Sequence, residues 1–300
     1  MTPGPASAHM EGVIDYLQAR FGLFVPPEKR KGAETRLYQV MAAQGLHGPL
    51  MMLDLLRTNS TVLQTVIDEF TVGETYFFRD PDLFALIRKT ILPALQEERA
   101  PDALLRLWSA GCATGEEAYS LAILLEEEGM AARADILATD ISESALEKAR
   151  AAVYGPWSLR GQDAGPLAAR YFLKKGERYS MADRIRARVR FRYLNLASDF
   201  RPLPRDGLTR MDLILCRNVL IYLDEATTRA VAQRLFDCLA EGGWLLTGPS
   251  DPPLWSHAPY QTLVTSSGVL YRRARAGDQR EAMPPAPANQ VDGRRAGVSE

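Results

Sequence analysis

The chain has 300 residues, enough for one large folded unit or two modest ones with a substantial apolar core. With 36 Lys and Arg against 37 Asp and Glu, its formal charge of −1 excludes a general electrostatic pull onto nucleic acid or an anionic membrane. Cys112, Cys216 and Cys238 are isolated and form no metal or disulfide pattern, and no apolar run reaches the ~18 residues of a membrane span.

No basic patch followed by an apolar run opens the chain, so cytoplasmic placement is expected, with no metal and no nucleic-acid partner. Residues 1–9, rich in Pro, Gly, Ser and Ala, are expected to be loose. Helical spacing follows over 10–57, in Val13, Ile14, Leu17 and Phe21 and again in Leu37, Val40 and Met41. Gly45 and the Gly48–Pro49 pair punctuate helix ends, and a helix over 62–70 completes a small all-α domain of residues 10–70.

From residue 71 strands alternate with helices. Strands are expected at 104–108, 136–139, 189–193, 211–216 and 242–247, with helices over 116–128, 142–152 and 225–240. A hairpin over 260–272 turns at Ser266, Ser267 and Gly268. This alternation predicts a Rossmann-like α/β domain over 71–274, its parallel sheet covered on both faces. The stretch 154–188 is too long for a crossover loop and predicts an inserted subdomain, taken as about 154–193. The Pro/Ala/Gly/Arg-rich tail 275–300 is expected to be disordered.

Four segments carry chemistry. The first, 107–117, runs from a strand through Gly111 and Gly115 into a helix, which keeps side chains out of the space where a ligand meets the backbone. Glu116 and Glu117 in that helix's first turn suit the helix dipole but would repel a pyrophosphate. A cationic, ribose-bearing ligand such as S-adenosylmethionine fits better. The second is Asp140, which ends the next strand where an acidic residue accepts ribose hydroxyls; capping the following helix is the plainer alternative. The third, 216–222, places Arg217, Asn218 and Tyr222 in or after an apolar strand, where burial without partners would be costly. The fourth, 71–80, sets Arg79 beside Phe77 and Phe78, where an arginine usually has an anionic partner.

Together the strings Glu74–Asp80 (ET-x-FFRD), 109–120 (SAG-x-ATGEE-x-YS), 138–142 (ATDIS) and 216–222 (CRN-x-x-IY) resemble the CheR-type chemotaxis receptor methyltransferases, over about residues 10–273. The resemblance implies S-adenosylmethionine-dependent methylation of glutamates on a chemoreceptor-like protein by a monomeric enzyme. It implies cofactor contacts from Gly73, Thr75, Arg79, Gly111, Glu117, Asp140, Asn195, Leu196, Arg217 and Asn218, with Gly73 reduced to backbone where many members carry Asn. Arg79 and Tyr222 become the candidates to orient the acceptor. Partner contacts are implied for Arg30, Lys31 and Arg36 on a basic helix, although Gln39, Val40 and Ala42 replace arginines common there. They are also implied for Arg186 and Arg188 in the insert, where arginines at 184, 186, 188, 190 and 192 alternate as though on one strand face. A Gly-His-Ser-Glu string frequent in the family is Gly248-Pro249-Ser250-Asp251 here.

Rival readings are a small-molecule methyltransferase, a cofactor-binding signalling module without turnover, and a nicotinamide dehydrogenase. The helical unit and arginine-bearing insert count against the first, the retained Arg79, Asp140, Asn218 and Tyr222 against the second, and Glu116–Glu117 against the third.

Overall fold

The computed structural model describes residues 5–71, 73–161, 164–203, 207–265 and 268–275. The start at 1–4, the hairpin tip at Ser266 and Ser267, and the tail from 276 lie outside them. Four helices come first: α1 (Pro5–Phe21), α2 (Arg30–Ala43), α3 (Pro49–Thr58) and α4 (Ser60–Phe70). Residues 5–9, expected to be loose, are instead the opening turns of α1. Proline at a helix start needs no amide partner and its φ is already helical, and Ala6 and Ala8 favour the helix. Asn59 begins α4 by accepting from Thr61 N at 3.0 Å and Val62 N at 3.1 Å. Met10, Ile14, Leu17, Leu37, Met52 and Val66 form the apolar cluster these helices share.

Next come α5 (Pro81–Leu86), a π-helical turn at Ile87–Ile91, and α6 (Leu92–Glu98), which the apolar spacing does not announce. Pro93 has no N–H for the carbonyl four residues back, and the π-turn lets the helix run on past that missing bond.

The α/β part contains β1 (Leu105–Ala110), α7 (Glu116–Glu127), β2 (Ala134–Asp140), α8 (Glu143–Ala151), β3 (Val153–Tyr154), α9 (Ala164–Tyr171), β4 (Phe172–Lys175), β5 (Arg178–Met181), α10 (Asp183–Arg186), β6 (Val189–Tyr193), β7 (Met211–Cys216), α11 (Glu225–Cys238), β8 (Leu239–Thr247), β9 (Gln261–Thr265) and β10 (Gly268–Arg272). Seven of these strands form one sheet in the order β6-β2-β1-β7-β8-β10-β9. The first five run parallel, and β10 pairs antiparallel with β8 and β9. Strand β7 is buried along its whole length, as expected of a strand covered on both faces.

Strands β3, β5 and β4 make a separate antiparallel sheet within the insert. Val189–Tyr193, included at the insert's end by the expected 154–193 boundary, pairs with β2 and belongs to the large sheet. The expectation that five arginines share one strand face is incorrect. Arg184 and Arg186 lie on the short helix α10, whose bonds from Arg186 N to Ala182 O and Ala187 N to Asp183 O break the two-residue period. Arg188 precedes β6, and only Arg190 and Arg192 share a strand face.

Gly115 shows how tightly this layer packs. Its φ is +93°, and an added Cβ would sit 2.9 Å from Ala149 Cβ and 3.2 Å from the Phe191 ring. The glycine therefore lets α7 approach α8 and β6, which corrects the expectation that it clears space for a ligand. Gly115→Ala should destabilise the fold by about 2–3 kcal/mol through combined strain and overpacking. Urea denaturation of the two proteins checks this; equal midpoints would show that the layers can relax around a methyl group.

Candidate functional site

Strand order reverses between β1 and β7, so the loops leaving these two strands diverge and open a crevice at the sheet's carboxyl edge. The turn after β1 (111–115) and the loop after β7 (217–222) flank it. Two cavities occupy this edge. One, of about 300 Å³, is lined by Phe21, Asp68, Asp140, Asn195, Leu196 and Lys148 among others. The second, of about 310 Å³, is lined by Thr75, Tyr76, Arg79, Glu117, Arg217 and Ser250 among others. Gly73, Gly111, Ala113, Asn218 and Tyr222 line both, so these five residues mark where the cavities meet.

All the cofactor and catalytic residues singled out in the sequence line one or both cavities. Gly111 has φ +81°, and a Cβ there would lie 2.2 Å from Val219 Cγ2, so glycine lets the two flanking loops touch. Asp140 is buried; its Oδ2 accepts from Ala113 N at 2.8 Å and its Oδ1 from Ser142 N at 2.9 Å. It thus ties the glycine turn to the residue before α8. The helix cap itself is Ser142, whose Oγ accepts from Ala145 N at 3.0 Å, so the capping alternative for Asp140 does not hold while its place on the cavity wall does. Burial pushes the Asp140 carboxyl up from the usual range, and the amide hydrogen bonds oppose that shift.

The two glutamates of α7 part company. Glu117 accepts from Ser109 Oγ at 2.7 Å and pairs with Arg217 Nη1 at 3.2 Å, on the cavity wall. Glu116 turns inward, accepting from Thr114 Oγ1 at 2.6 Å and Ser158 Oγ at 2.8 Å, and burial pushes its carboxyl up. Only Glu117 lines the crevice, which corrects the expectation that both carboxylates face the ligand. Arg217, itself buried, also donates to Arg79 O at 3.1 Å and pairs with Asp80 Oδ2 at 3.3 Å.

Arg79 donates to Glu74 O at 2.6 Å and makes no ion pair among the described residues. The anionic partner expected beside the aromatic pair is therefore not supplied from within. The segment is braced by the insert: Phe77 N donates to Ser158 O at 2.9 Å, and Arg160, stacked on Tyr76 at 3.9 Å, pairs with Glu74 at 3.1 Å. Phe78 (φ 53°), Asp80 (φ 69°), Ala113 (φ 47°) and Asn218 (φ 56°) are four of the six described non-glycine residues with left-handed backbones. Such strain persists only where neighbours over-determine it, and it gathers at working sites.

The N-terminal helices cover the first cavity. Asn195 Nδ2 donates to Arg20 O at 3.1 Å, and Phe24 N donates to Tyr222 O at 2.8 Å. Asp68 of α4 accepts from Ser142 Oγ at 2.5 Å and Ser144 Oγ at 2.6 Å. Asp68 escapes motif reading, since nothing near it in the chain signals a contact that only folding creates; Asp251 stands in the Gly248-Pro249-Ser250-Asp251 string, which does not announce its contacts. Of the expected partner residues, Lys31 and Arg188 are exposed, Arg30 pairs with Glu11, Arg36 stacks on Phe70 at 5.0 Å, and Arg186 pairs with Asp183 at 3.3 Å. The thiols of Cys112 and Cys216 are buried and pushed well up by that burial, which removes them as nucleophiles. Among the described residues no cluster of His, Cys, Asp and Glu could hold a metal ion, and no helix is long and apolar enough to cross a membrane.

A mainly parallel sheet with a cavity at its switch point and carboxylates on the cavity wall is the arrangement of an α/β domain that binds a nucleoside-bearing ligand. Residues 73–264 match the CheR methyltransferase, SAM binding domain. Chemotaxis protein methyltransferase 1 of Pseudomonas aeruginosa is 32% identical over 89% of this chain and 98% of its own length. Chemotaxis protein methyltransferase Cher2 of Pseudomonas putida is 28% identical over 86% of this chain and 94% of its own. The chemotaxis protein methyltransferase of Borreliella burgdorferi is 30% identical over 80% and 86%. This chain belongs to the CheR methyltransferase family, and its cofactor is S-adenosylmethionine.

The first cavity suits that cofactor. Its volume lies at the lower end of the roughly 300–1,000 Å³ of small-molecule sites. It carries two carboxylates, Asp68 and Asp140, against Lys148 alone, a balance that welcomes a cation. Gly111→Ala should weaken binding of the demethylated product, S-adenosylhomocysteine, by at least about tenfold, because Val219 must move and the turn with it. Calorimetry checks this; unchanged affinity would mean the turn does not shape the cofactor cavity.

Proposed function

We propose that this enzyme transfers the methyl group of S-adenosylmethionine to glutamate side-chain carboxylates of a chemoreceptor-like protein. The observation that carries the reading is Arg79, on the wall of the second cavity and without an ion-pair partner among the described residues, a short step from where the cavities meet. A guanidinium so placed suits a carboxylate from outside, which it can grip by two parallel hydrogen bonds. Family membership and relatives named as chemotaxis methyltransferases support the same reading.

In this reading Asp140 receives ribose hydroxyls, Asn195 and Leu196 border the adenine, and Gly73 and Gly111 let the backbone come close. Thr75, Glu117, Arg217 and Asn218 surround the amino-acid end. S-adenosylmethionine supplies a methyl group already activated on a sulfonium. A glutamate side chain is ionised near pH 7, its ordinary pKa being about 4.3, so the protein need supply no general base. The remaining task is placement: Arg79 and Tyr222 orient the acceptor oxygen while the packed loops exclude water. Lys31 and Arg188, with Arg30, Arg36 and Arg186 behind them, are the candidate contacts for an acidic partner, each weakened where its charge is already shared within the chain.

Arg79→Ala and Tyr222→Phe should each lower turnover about 100-fold while changing affinity for S-adenosylhomocysteine less than about threefold. Transfer of labelled methyl to the cytoplasmic fragment of a chemoreceptor measures the first, and calorimetry the second. The label should be released as methanol by mild base, as a carboxyl ester requires. A base-stable product would overturn the glutamate assignment.

A further inference from the structure

The loop that leaves β7 is held by a carboxylate from beyond the neighbouring strand. Asp251 lies three residues past Gly248, just after β8. Its Oδ2 accepts from Asn218 N at 2.6 Å and from Gly248 N at 2.8 Å. Its Oδ1 accepts from Leu220 N at 2.9 Å and Ile221 N at 3.3 Å. Four amides thus converge on one largely buried side chain, and three of them belong to the loop that carries Asn218 and Tyr222.

These amides fix a conformation the loop would not keep alone. Asn218 sits in the left-handed region with φ 56°. Its N–H is bound by Asp251 while the residue lines both cavities. Tyr222 N donates to Val219 O at 3.1 Å, so the tyrosine's place follows from the turn that Asp251 secures. Gly248 completes the nest: a Cβ there would lie 3.0 Å from Asp251 Oδ2, 3.1 Å from Asn218 N and 3.2 Å from Asn218 Cγ. Burial pushes the Asp251 carboxyl up from its usual range, and the four amides oppose that shift in part, as in anion-binding nests.

We propose that Asp251 is a positioning residue for methyl transfer, acting through Asn218 and Tyr222 at the meeting point of the cofactor and acceptor cavities. Its carboxylate lines neither cavity; it sets where those two side chains stand. A carboxamide of the same shape turns an NH2 group toward amide donors and breaks half the nest. The inference rests on methyl transfer occurring at that junction. It does not depend on which acceptor is methylated, since product binding reads it with no acceptor present.

The test is a double-mutant cycle. Asp251→Asn should weaken S-adenosylhomocysteine binding about tenfold by calorimetry, and lower turnover at saturating cofactor by about 30-fold. On an Asn218→Ala background the same substitution should weaken product binding less than about twofold, because the side chain it positions is gone. Gly248→Ala, which crowds Asp251 Oδ2 and Asn218 while leaving the carboxylate in place, should behave like Asp251→Asn, and Asp251→Glu should recover part of the loss. The proposal is overturned if Asp251→Asn binds and turns over as wild type. Equal loss on both backgrounds would also overturn it, since that marks general destabilisation. Should Asp251→Asn fail to fold, the cycle is run with Gly248→Ala and the same two outcomes decide.

Discussion

The architecture of this site depends on finding partners for one buried cation. Arg217 follows β7 with its guanidinium almost wholly out of water, where an unpaired charge would be prohibitively costly. Its partners come from two other parts of the chain: Glu117 from the first turn of α7, and Asp80 with the Arg79 carbonyl from the segment before α5. Satisfying Arg217 therefore draws three segments to the same point. That Arg79 stands beside the crevice is a consequence of this pairing, because its backbone carbonyl is one of the acceptors.

Charge then decides what the crevice can accept. In a dinucleotide site the helix N-terminus is left open for phosphate. Here Glu117, in the first turn of α7, stands on the crevice wall, and the adjoining cavity adds Asp68 and Asp140. The N-terminal helices contribute to this balance and also cover the cavity, since Asp68 is bonded to Ser142 and Ser144 at the start of α8. The second cavity is mixed in sign: Glu74 and Glu117 stand on its wall with Arg79 and Arg217, and Arg217 is already paired with Glu117 and Asp80. Of the charged groups on that wall, Arg79 is the one with no ion pair among the described residues.

Much of this was legible in the residues. Strand–helix alternation predicted the parallel sheet, the glycine turn and Asp140 located the cavity, and the four strings gave the family. The failures have physical causes. Helix over 81–98 was hidden because two prolines and a π-turn disturb its apolar spacing. The alternating arginines suggested one strand because a four-residue helix followed by a strand mimics a two-residue period over so short a stretch. Glu116 and Glu117, adjacent and alike in sequence, differ because successive helix positions point about 100° apart, one into the core and one to the crevice. Asp251 stood in a family string, but its role was not legible there, since three of its four donors come to it only when β7 and β8 lie side by side.

The central claim is that the carboxyl edge of this sheet is built for a positively charged, ribose-bearing donor, and a competitive titration tests it most directly. Calorimetry of the whole chain with S-adenosylmethionine, S-adenosylhomocysteine and NAD⁺ should give saturable one-to-one binding for the first two and no heat for the third. Tight uptake of NAD⁺, with no affinity for either adenosyl compound, would contradict the account at its root.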